Sequence, residues 1–293
     1  MRVFVTGATG FVGSAVTREL IAAGHAVLGL ARSEDKAGAL AAAGAEVLIG
    51  TVQDEELLAR AIEGSDGVIH TAFNHDFSTF VDNCRDDMRV IAALARGLSG
   101  STRPLLITSG IPLIPGGRPA TEEDPQPGPE IHPRALSEVA ARAAAAEGAH
   151  VTVIRLPQVH DPEHFGLITY SVAAAREKGR AAWAGDGENR FSAVHVADAA
   201  LLYRLALEHG GPWSVWHAVD ETGVTGRAVA EAIGARLGLP AVGLTGDEAA
   251  EHFGWMMAFA GLNLPASSRI TRDRLGWTPE GPGLLDDLAR LPL

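Results

Sequence analysis

Short apolar runs rich in Val, Ile and Leu recur through the first half of the chain, and alanine-rich segments with helical spacing separate them. The runs are RVFVTG, HAVLGLA, AEVLIG, DGVIHTA, PLLITSG and HVTVIRLP. Each is apolar on both faces, as strands in the middle of a parallel sheet are when helices cover both sides. The alternation therefore predicts an α/β fold with a doubly wound parallel sheet of the Rossmann type.

The rhythm changes after residue 157, where loops become more frequent. RFSAVHVADAALLYRLALE still indicates a strand followed by a helix, with Asp198 as the helix cap, and WSVWHAVD indicates a further strand. We therefore predict a Rossmann domain built from residues 1–157 plus 190–219. Residues 158–189 and 220–293 would form a smaller C-terminal substrate lobe over the edge of the sheet where such folds bind ligands.

Composition limits the partners and the setting of the protein. The chain has 293 residues, of which 46% are hydrophobic and 20% charged, which is typical of a globular protein with an ample core. Its net charge of −12 would repel nucleic acid and anionic membrane surfaces. The single cysteine, Cys84, cannot form an intramolecular disulfide, and no apolar run reaches the roughly 20 residues that span a bilayer. We therefore expect a soluble cytoplasmic monomer or homodimer with no metal, nucleic acid or membrane as partner.

A glycine-rich segment, VFVTGATGFVGSAV, lies between the first predicted strand and the first predicted helix. In this context Gly7 permits a tight turn, Gly10 lets the backbone approach a pyrophosphate, and Gly13 lets the helix pack closely on the strand. The alternative is a tight turn that binds nothing. The position favours a dinucleotide-binding loop, whose expected contact residues also include Thr9, Phe11 and Val12.

The end of the second predicted strand bears on which nicotinamide cofactor is used. Enzymes that prefer NAD usually carry an acidic residue there, whereas this strand is followed by Arg32 and Ser33. A guanidinium and a hydroxyl can hold a 2′-phosphate, so NADP is favoured and NAD is less expected. The alternative is a solvated arginine that pairs with Glu34 or Asp35.

Two further segments are expected to contact the cofactor. Thr51 and Val52 follow the third predicted strand and would flank the adenine, and Thr71 and Ala72 follow the fourth and would lie under the ribose and nicotinamide. The neighbouring His70 is interpreted as a packed strand residue rather than a catalyst.

The motifs TGATGFVG, VIHTA, LLITSG, VIRLPQVHDP, FSAVHVADAA and RLGWTPE, in this order, resemble those of the extended and atypical short-chain dehydrogenase/reductase superfamily, which includes NAD-dependent epimerases and dehydratases. The resemblance covers nearly the whole chain. It implies a bound nicotinamide dinucleotide and a small-molecule substrate. It also implies a catalytic Ser or Thr together with a Tyr and a Lys in a YxxxK motif.

The YxxxK motif is absent from this chain. Neither of the two tyrosines, Tyr170 and Tyr203, is followed by lysine at the fourth position. Matching the segment ALSEVAA to the superfamily's catalytic helix places Arg134 at the tyrosine position and Glu138 at the lysine position. The usual proton donor is therefore missing.

Three residues remain as catalytic candidates: Ser109, Arg134 and Glu138. Ser109 either acts on substrate or satisfies backbone groups in its turn, and Gly110 falls where the superfamily places the hydroxyl. Arg134 and Glu138 either form an ion pair at i and i+4 or face the nicotinamide, where Arg134 would polarise a carbonyl or hold a carboxylate. Because arginine stays protonated, the proton would come from water or from one of His75, His132, His160, Asp161 and Tyr170.

The C-terminal half gives weaker indications of substrate class. Resemblance to sugar-nucleotide enzymes would place Asn189 and Arg190 near the substrate's phosphates. The segment HFGWMMAFAGLNLP would suit either a packed helix or an apolar substrate wall.

The function predicted from these observations is an NADP-dependent oxidoreductase that reduces a C=O, C=C or C=N group in a small molecule. A non-catalytic NADP-binding sensor is the main alternative. An epimerase or dehydratase is disfavoured, because its oxidation step normally needs the missing tyrosine and lysine.

Overall fold

The computed structural model describes residues 1–293. Its strands are β1 (Arg2–Thr6), β2 (Ala26–Ala31), β3 (Glu46–Ile49), β4 (Gly67–His70), β5 (Leu105–Gly110), β6 (Val151–Leu156), β7 (Gln158–His160), β8 (Ala181–Ala184), β9 (Arg190–His195), β10 (Trp213–His217), β11 (Glu221–Thr225) and β12 (Ala241–Leu244). These strands form one large and two small sheets.

Twelve α-helices accompany the strands: α1 (Phe11–Ala22), α2 (Glu34–Ala42), α3 (Glu55–Glu63), α4 (Phe80–Gly97), α5 (Leu136–Ala146), α6 (Ile168–Lys178), α7 (Val196–His209), α8 (Gly226–Leu237), α9 (Gly246–Phe253), α10 (Met257–Ala260), α11 (Arg269–Leu275) and α12 (Leu284–Leu288). Single 3₁₀ turns span Phe77–Thr79, Pro133–Ala135 and Gly254–Met256. None of the helices combines the length and apolar character needed to cross a membrane.

The large sheet has seven parallel strands in the order β10-β6-β5-β4-β1-β2-β3, which confirms the predicted doubly wound fold. Side chains alternate between its two faces, as strand geometry requires. Val3 and Val5 of β1 pack with α1 and α7, whereas Phe4 packs with α3, α4 and α5 on the opposite face. Burial on both faces explains why the strands are continuous apolar runs.

The chain leaves the large sheet at Pro157, which has no N–H group to continue a strand ladder. From there β7 pairs with β9, and β9 pairs with β11, in a separate three-stranded sheet, while β8 and β12 form a two-stranded sheet. Of the segment 190–219 that we assigned to the Rossmann domain, β10 is the seventh strand of the large sheet and α7 packs on α1, but β9 lies in the three-stranded sheet. The two-part division stays a prediction.

The cap of α7 differs from the prediction. His195 precedes the helix and its Nδ1 accepts a hydrogen bond of 3.3 Å from the backbone N–H of Ala197. Asp198 lies inside the first turn, and its carboxylate accepts from the N–H groups of Glu280 and Gly281 at 3.0 and 2.8 Å. The prediction of Asp198 as the cap was wrong, because this carboxylate ties the C-terminal segment to α7 instead.

Candidate active site

The glycine loop, residues 7–13, joins β1 to α1 at the carboxyl edge of the sheet. Gly7 has φ of 70°, and a Cβ atom there would lie 2.6 Å from the backbone N of Ala72. A Cβ on Gly13 would lie 2.0 Å from the carbonyl oxygen of Gly7. Both positions therefore require glycine, and the loop passes directly over the end of β4.

The start of α1 fits a bound pyrophosphate. Gly10 is the N-cap residue and provides no side-chain cap, and the backbone N–H groups of Phe11 and Val12 have no hydrogen-bond partner within the protein. Free N–H groups at the positive end of a helix dipole bind phosphate oxygens. Thr9 borders this surface and is partly exposed.

Arg32 stands at the end of β2, exposed to solvent and free of any ion pair. The pairing with Glu34 or Asp35 that the sequence left open does not form, since neither carboxylate has a partner among the salt bridges or hydrogen bonds of the protein. Ser33 is the N-cap residue of α2, but its hydroxyl makes no capping hydrogen bond. Both polar groups are thus available to a ligand phosphate.

The remaining predicted cofactor residues lie along the same edge. Thr51 is exposed just beyond β3, and Val52 packs partly on the core beneath it. Thr71 Oγ1 donates to the carbonyl of Thr6 at 2.8 Å, so its hydroxyl holds β4 against β1, and Ala72 follows it below the glycine loop.

Arg134 lies in the 3₁₀ turn that leads into α5. Its Nη1 donates to Asp87 Oδ2 at 2.6 Å and to Ser137 Oγ, and its Nη2 donates to the carbonyl of Thr108 at 2.9 Å. The plane of the guanidinium lies over the ring of Phe73, 4.2 Å from the centroid. The side chain is 13% exposed, so one small part of the cation is open to a ligand.

Asp87 of α4 anchors this arrangement from below. Its Oδ1 lies 3.0 Å from His70 Nε2, and His70 Nδ1 lies 2.6 Å from Thr6 Oγ1. Burial alone would raise the pKa of Asp87, but the charge of Arg134 and the hydrogen bonds from His70 and Ser137 hold that pKa well below its usual range. Asp87 is therefore a carboxylate that fixes the arginine, and His70 is a packed strand residue.

Glu138 does not join Arg134. Its Oε1 accepts from Arg155 Nε at 2.8 Å and from Gln126 Nε2 at 2.9 Å, and its Oε2 accepts from Arg155 Nη2 at 2.8 Å. Burial raises the pKa of Glu138, but Arg155 and Gln126 outweigh this and lower it. The ion pair between Arg134 and Glu138 that we considered from the sequence does not form. Each side chain pairs instead with a buried residue of opposite charge on another element.

Ser109 lies on the Glu138 side of the site. It is 3% exposed, and its Oγ lies 3.4 Å from Nε2 of Gln126. The three catalytic candidates thus separate into two groups, Arg134 with Asp87 and Ser109 with Glu138. Only the first group has a charged side chain that a ligand can reach.

Two of the candidate proton sources lie near the guanidinium. Burial, followed by the positive charge of Arg134, lowers the pKa of both His75 and His132. Both imidazoles are therefore neutral near pH 7 and are poor acids.

The other candidates have different surroundings. His160 is fully buried, with Nδ1 2.8 Å from Asp287 Oδ2. Asp161 accepts from the backbone N–H groups of Glu163 and His164 in its own turn. Tyr170 projects from α6 among other aromatic rings. The first two are occupied by structural contacts.

Asp87 and Arg155 were not predicted from the sequence, although each is a charged residue at a position where the pattern is otherwise apolar. Asp87 lies on the buried stripe of α4, three residues after Cys84 and three residues before Val90. An amphipathic helix is expected to be apolar along this stripe. Arg155 interrupts VTVIRL, a strand buried on both faces. A charged residue at a core position indicates a buried partner elsewhere in the fold.

Comparison with known proteins identifies the class. Residues 3–216 match the NAD dependent epimerase/dehydratase family. An uncharacterized protein of Schizosaccharomyces pombe is 43% identical over 291 residues, covering 99% of this chain and 98% of the relative. The decarboxylating sterol-4-alpha-carboxylate 3-dehydrogenase of Dictyostelium discoideum is 30% identical over 234 residues, covering 74% of this chain and 71% of that enzyme.

Among solved structures, a dTDP-glucose 4,6-dehydratase from Streptomyces venezuelae with NAD bound superposes with a TM-score of 0.79 at 22% identity, covering 99% of this chain and 95% of that one. At this identity the match shows the fold. The chain belongs to the NAD dependent epimerase/dehydratase family. The predicted resemblance to extended short-chain dehydrogenases is confirmed, as is the prediction of an NAD(P)-dependent oxidoreductase.

Proposed function

We propose that this protein uses NADPH to reduce a C=O, C=C or C=N group of a small molecule without a Tyr–Lys pair. One observation carries the proposal: Arg134 stands at the motif's tyrosine position, and Asp87 and the carbonyl of Thr108 fix its guanidinium there. A cation that is held in place and only 13% exposed can stabilise negative charge that develops on a substrate.

The cofactor assignment rests on the carboxyl edge of the sheet. The glycine loop and the free N–H groups of Phe11 and Val12 would hold the pyrophosphate, and Arg32 with Ser33 would hold the 2′-phosphate. The residues assigned to the rest of the dinucleotide are Thr9, Thr51, Val52, Thr71 and Ala72. When bound, the reduced nicotinamide supplies a hydride to the substrate.

Arg134 has the electrophilic role. It cannot donate its proton at ordinary pH, but its N–H groups can hydrogen-bond to the substrate's oxygen or nitrogen and stabilise the anion formed there. Asp87 keeps the cation in position, so little reorganisation is needed when charge develops.

The final proton comes from water in this proposal. A secondary alkoxide is a stronger base than hydroxide, so it takes a proton from water without a dedicated acid. His75 and His132 lie beside the cation as neutral groups, so neither supplies this proton. Ser109 and Glu138 have a structural role in this proposal, because their side chains contact Gln126 and Arg155 and not Arg134.

The test is consumption of NADPH by the purified protein with a panel of ketones, activated alkenes and imines. We expect turnover with at least one of these classes, and a loss of about a hundredfold in kcat for Arg134→Met, the size found when one oxyanion donor is removed. NADPH binding without consumption across the panel would contradict the proposal and support a sensor.

A further inference from the structure

Six aromatic side chains form a continuous cluster between the loop after β4 and the C-terminal segments, which we call the aromatic cluster. Its members are Phe73, Phe77, Phe80, Tyr170, Trp255 and Phe259. Phe77 is central: it stacks on Trp255 with ring centroids 4.8 Å apart, and its ring also meets those of Tyr170 and Phe259 at 6.2 and 5.5 Å.

The aromatic cluster is an open surface. No member is buried, and Trp255 and Tyr170 are 49% and 41% exposed. Packed cores bury their aromatic rings, and a group of exposed rings in contact marks a binding surface. The sequence left two interpretations of the segment HFGWMMAFAGLNLP, a packed helix and an apolar substrate wall. Phe253 and Met256 are packed, whereas Trp255 and Phe259 could form part of a wall.

This surface begins at the proposed reaction centre. Phe73 carries the Arg134 guanidinium on its ring, and it also meets Phe80 at 6.2 Å, which in turn meets Phe77 at 5.7 Å. A substrate whose polar group contacts Arg134 would therefore lay the rest of its structure along aromatic rings.

A cavity of about 60 Å³ shares Phe259 with the aromatic cluster. Fifteen of the 18 residues around it are hydrophobic, and none is charged. Of its polar members, Gln158 already accepts from the N–H of Leu167 at 3.2 Å. A space with this lining favours hydrocarbon over phosphate.

Of the two residues that the sequence placed near the phosphates of a sugar nucleotide, Arg190 is exposed, whereas Asn189 has a structural role. Asn189 Nδ2 donates to the carbonyls of Ala260 and Leu262 at 3.0 and 3.1 Å, so it shapes the loop beside the cavity.

We infer that the substrate is an apolar carbonyl or imine compound whose ring or chain lies on the aromatic cluster. This inference rests on the proposed function for the reacting group. The predicted binding of the substrate can be tested independently of its reduction, because stacking on Trp255 and Phe77 requires no turnover.

Calorimetric titration with NADP⁺ present, which prevents reduction, tests the inference with two probes, 2-acetonaphthone and UDP-glucose. We expect the aromatic ketone to bind and UDP-glucose to give no heat. Trp255→Ala should weaken ketone binding about tenfold through loss of the stacked ring, and Trp255→Phe should restore most of the affinity. Leu285→Ala removes a side chain of α12 that is also exposed, at 37%, and should change nothing.

Tighter binding of UDP-glucose, absence of ketone binding, or equal affinities in Trp255→Ala and the unsubstituted protein would each overturn the inference. Thermal unfolding of each variant verifies that it is folded before titration. A protein that binds the ketone through Trp255 but consumes no NADPH with any compound of the panel would contradict the proposed function alone. Reduction of a sugar nucleotide would contradict this inference alone.

Discussion

The guanidinium of Arg134 lies 2.6 Å from the carboxylate of Asp87, a residue of a different helix. Asp87 is 3% exposed and Arg134 is 13% exposed, so water screens the pair little. Desolvating two charges is costly, and such a pair is weak evidence for stability by itself. Its position at the carboxyl edge of the sheet agrees better with a role for the arginine in binding or chemistry.

The first prediction separates the structural role of this pair from its catalytic role. Arg134→Met leaves Asp87 as an unpaired buried carboxylate and should lower the free energy of unfolding by about 3–5 kcal/mol. The double variant Arg134→Met, Asp87→Asn removes both charges and should recover most of that stability. Both variants should remain about a hundredfold impaired in kcat.

Urea unfolding and NADPH consumption measure the two effects separately. Asp87→Asn alone is the matched control, because it keeps the cation but frees it to move, and it should reduce kcat less than the loss of the arginine does. Recovery of activity together with stability in the double variant would show that Arg134 has a structural role only.

The second prediction concerns Glu138 and Arg155, which are 2% and 0% exposed. Glu138→Gln leaves the Arg155 cation without a countercharge and should destabilise the protein by about 3 kcal/mol. The kcat of the folded fraction should stay within about twofold, because neither side chain is open to a ligand. Substituting Asp82, whose ion pair with Arg85 is exposed, should cost under about 1 kcal/mol. A large fall in kcat at full folding would place Glu138 in the active site.

The sequence predicted the fold because the patterns that define it are local. Alternating apolar runs define strands one at a time. The glycine at 13 is required by a contact within the strand–loop–helix unit, whereas the glycine at 7 is required by the backbone at the end of β4. The partners of Arg134 and Glu138 could not be predicted from such local patterns. Asp87 is 47 residues from Arg134, and only the packing of α4 on α5 brings the two together.

The same limit applies to the substrate side. Phe77, Tyr170 and Trp255 belong to three separate segments, none of which has a pattern that predicts the other two. Their stacking depends on how the loop after β4 meets the C-terminal segments. For that reason the sequence left the apolar wall and the packed helix as alternatives.

The third prediction tests the cofactor. Arg32→Ala should weaken NADPH binding by about tenfold to a hundredfold, the effect of removing charge-assisted hydrogen bonds to a phosphate, and should leave NADH binding nearly unchanged. Fluorescence titration with both nucleotides measures the ratio. Arg290→Ala, another exposed arginine, is the control and should alter neither affinity. Equal losses for the two nucleotides would contradict the NADP assignment.

The last prediction is a loss of stability in mild acid that depends on His217. Its Nδ1 donates to the carbonyl of Ser267 at 2.9 Å, and its Nε2 accepts from Arg155 Nη1 at 3.3 Å, so the neutral ring satisfies both neighbours. Burial, and then the charge of Arg155, lowers the pKa of His217 to about 4, which the carboxylates of Glu138 and Asp124 only partly oppose.

Because the folded pKa lies below the value of 6.5 for an unperturbed histidine, the unfolded chain binds a proton that the folded chain refuses. The stabilisation is complete above about pH 6.5 and is lost as the pH falls toward about 4, at about 1.4 kcal/mol per pH unit for this histidine. His217→Gln keeps one donor and one acceptor, so the slope of unfolding free energy against pH should decrease by that amount. The exposed His209→Gln should leave the slope unchanged, and an unaltered slope in His217→Gln would assign the acid sensitivity to other groups.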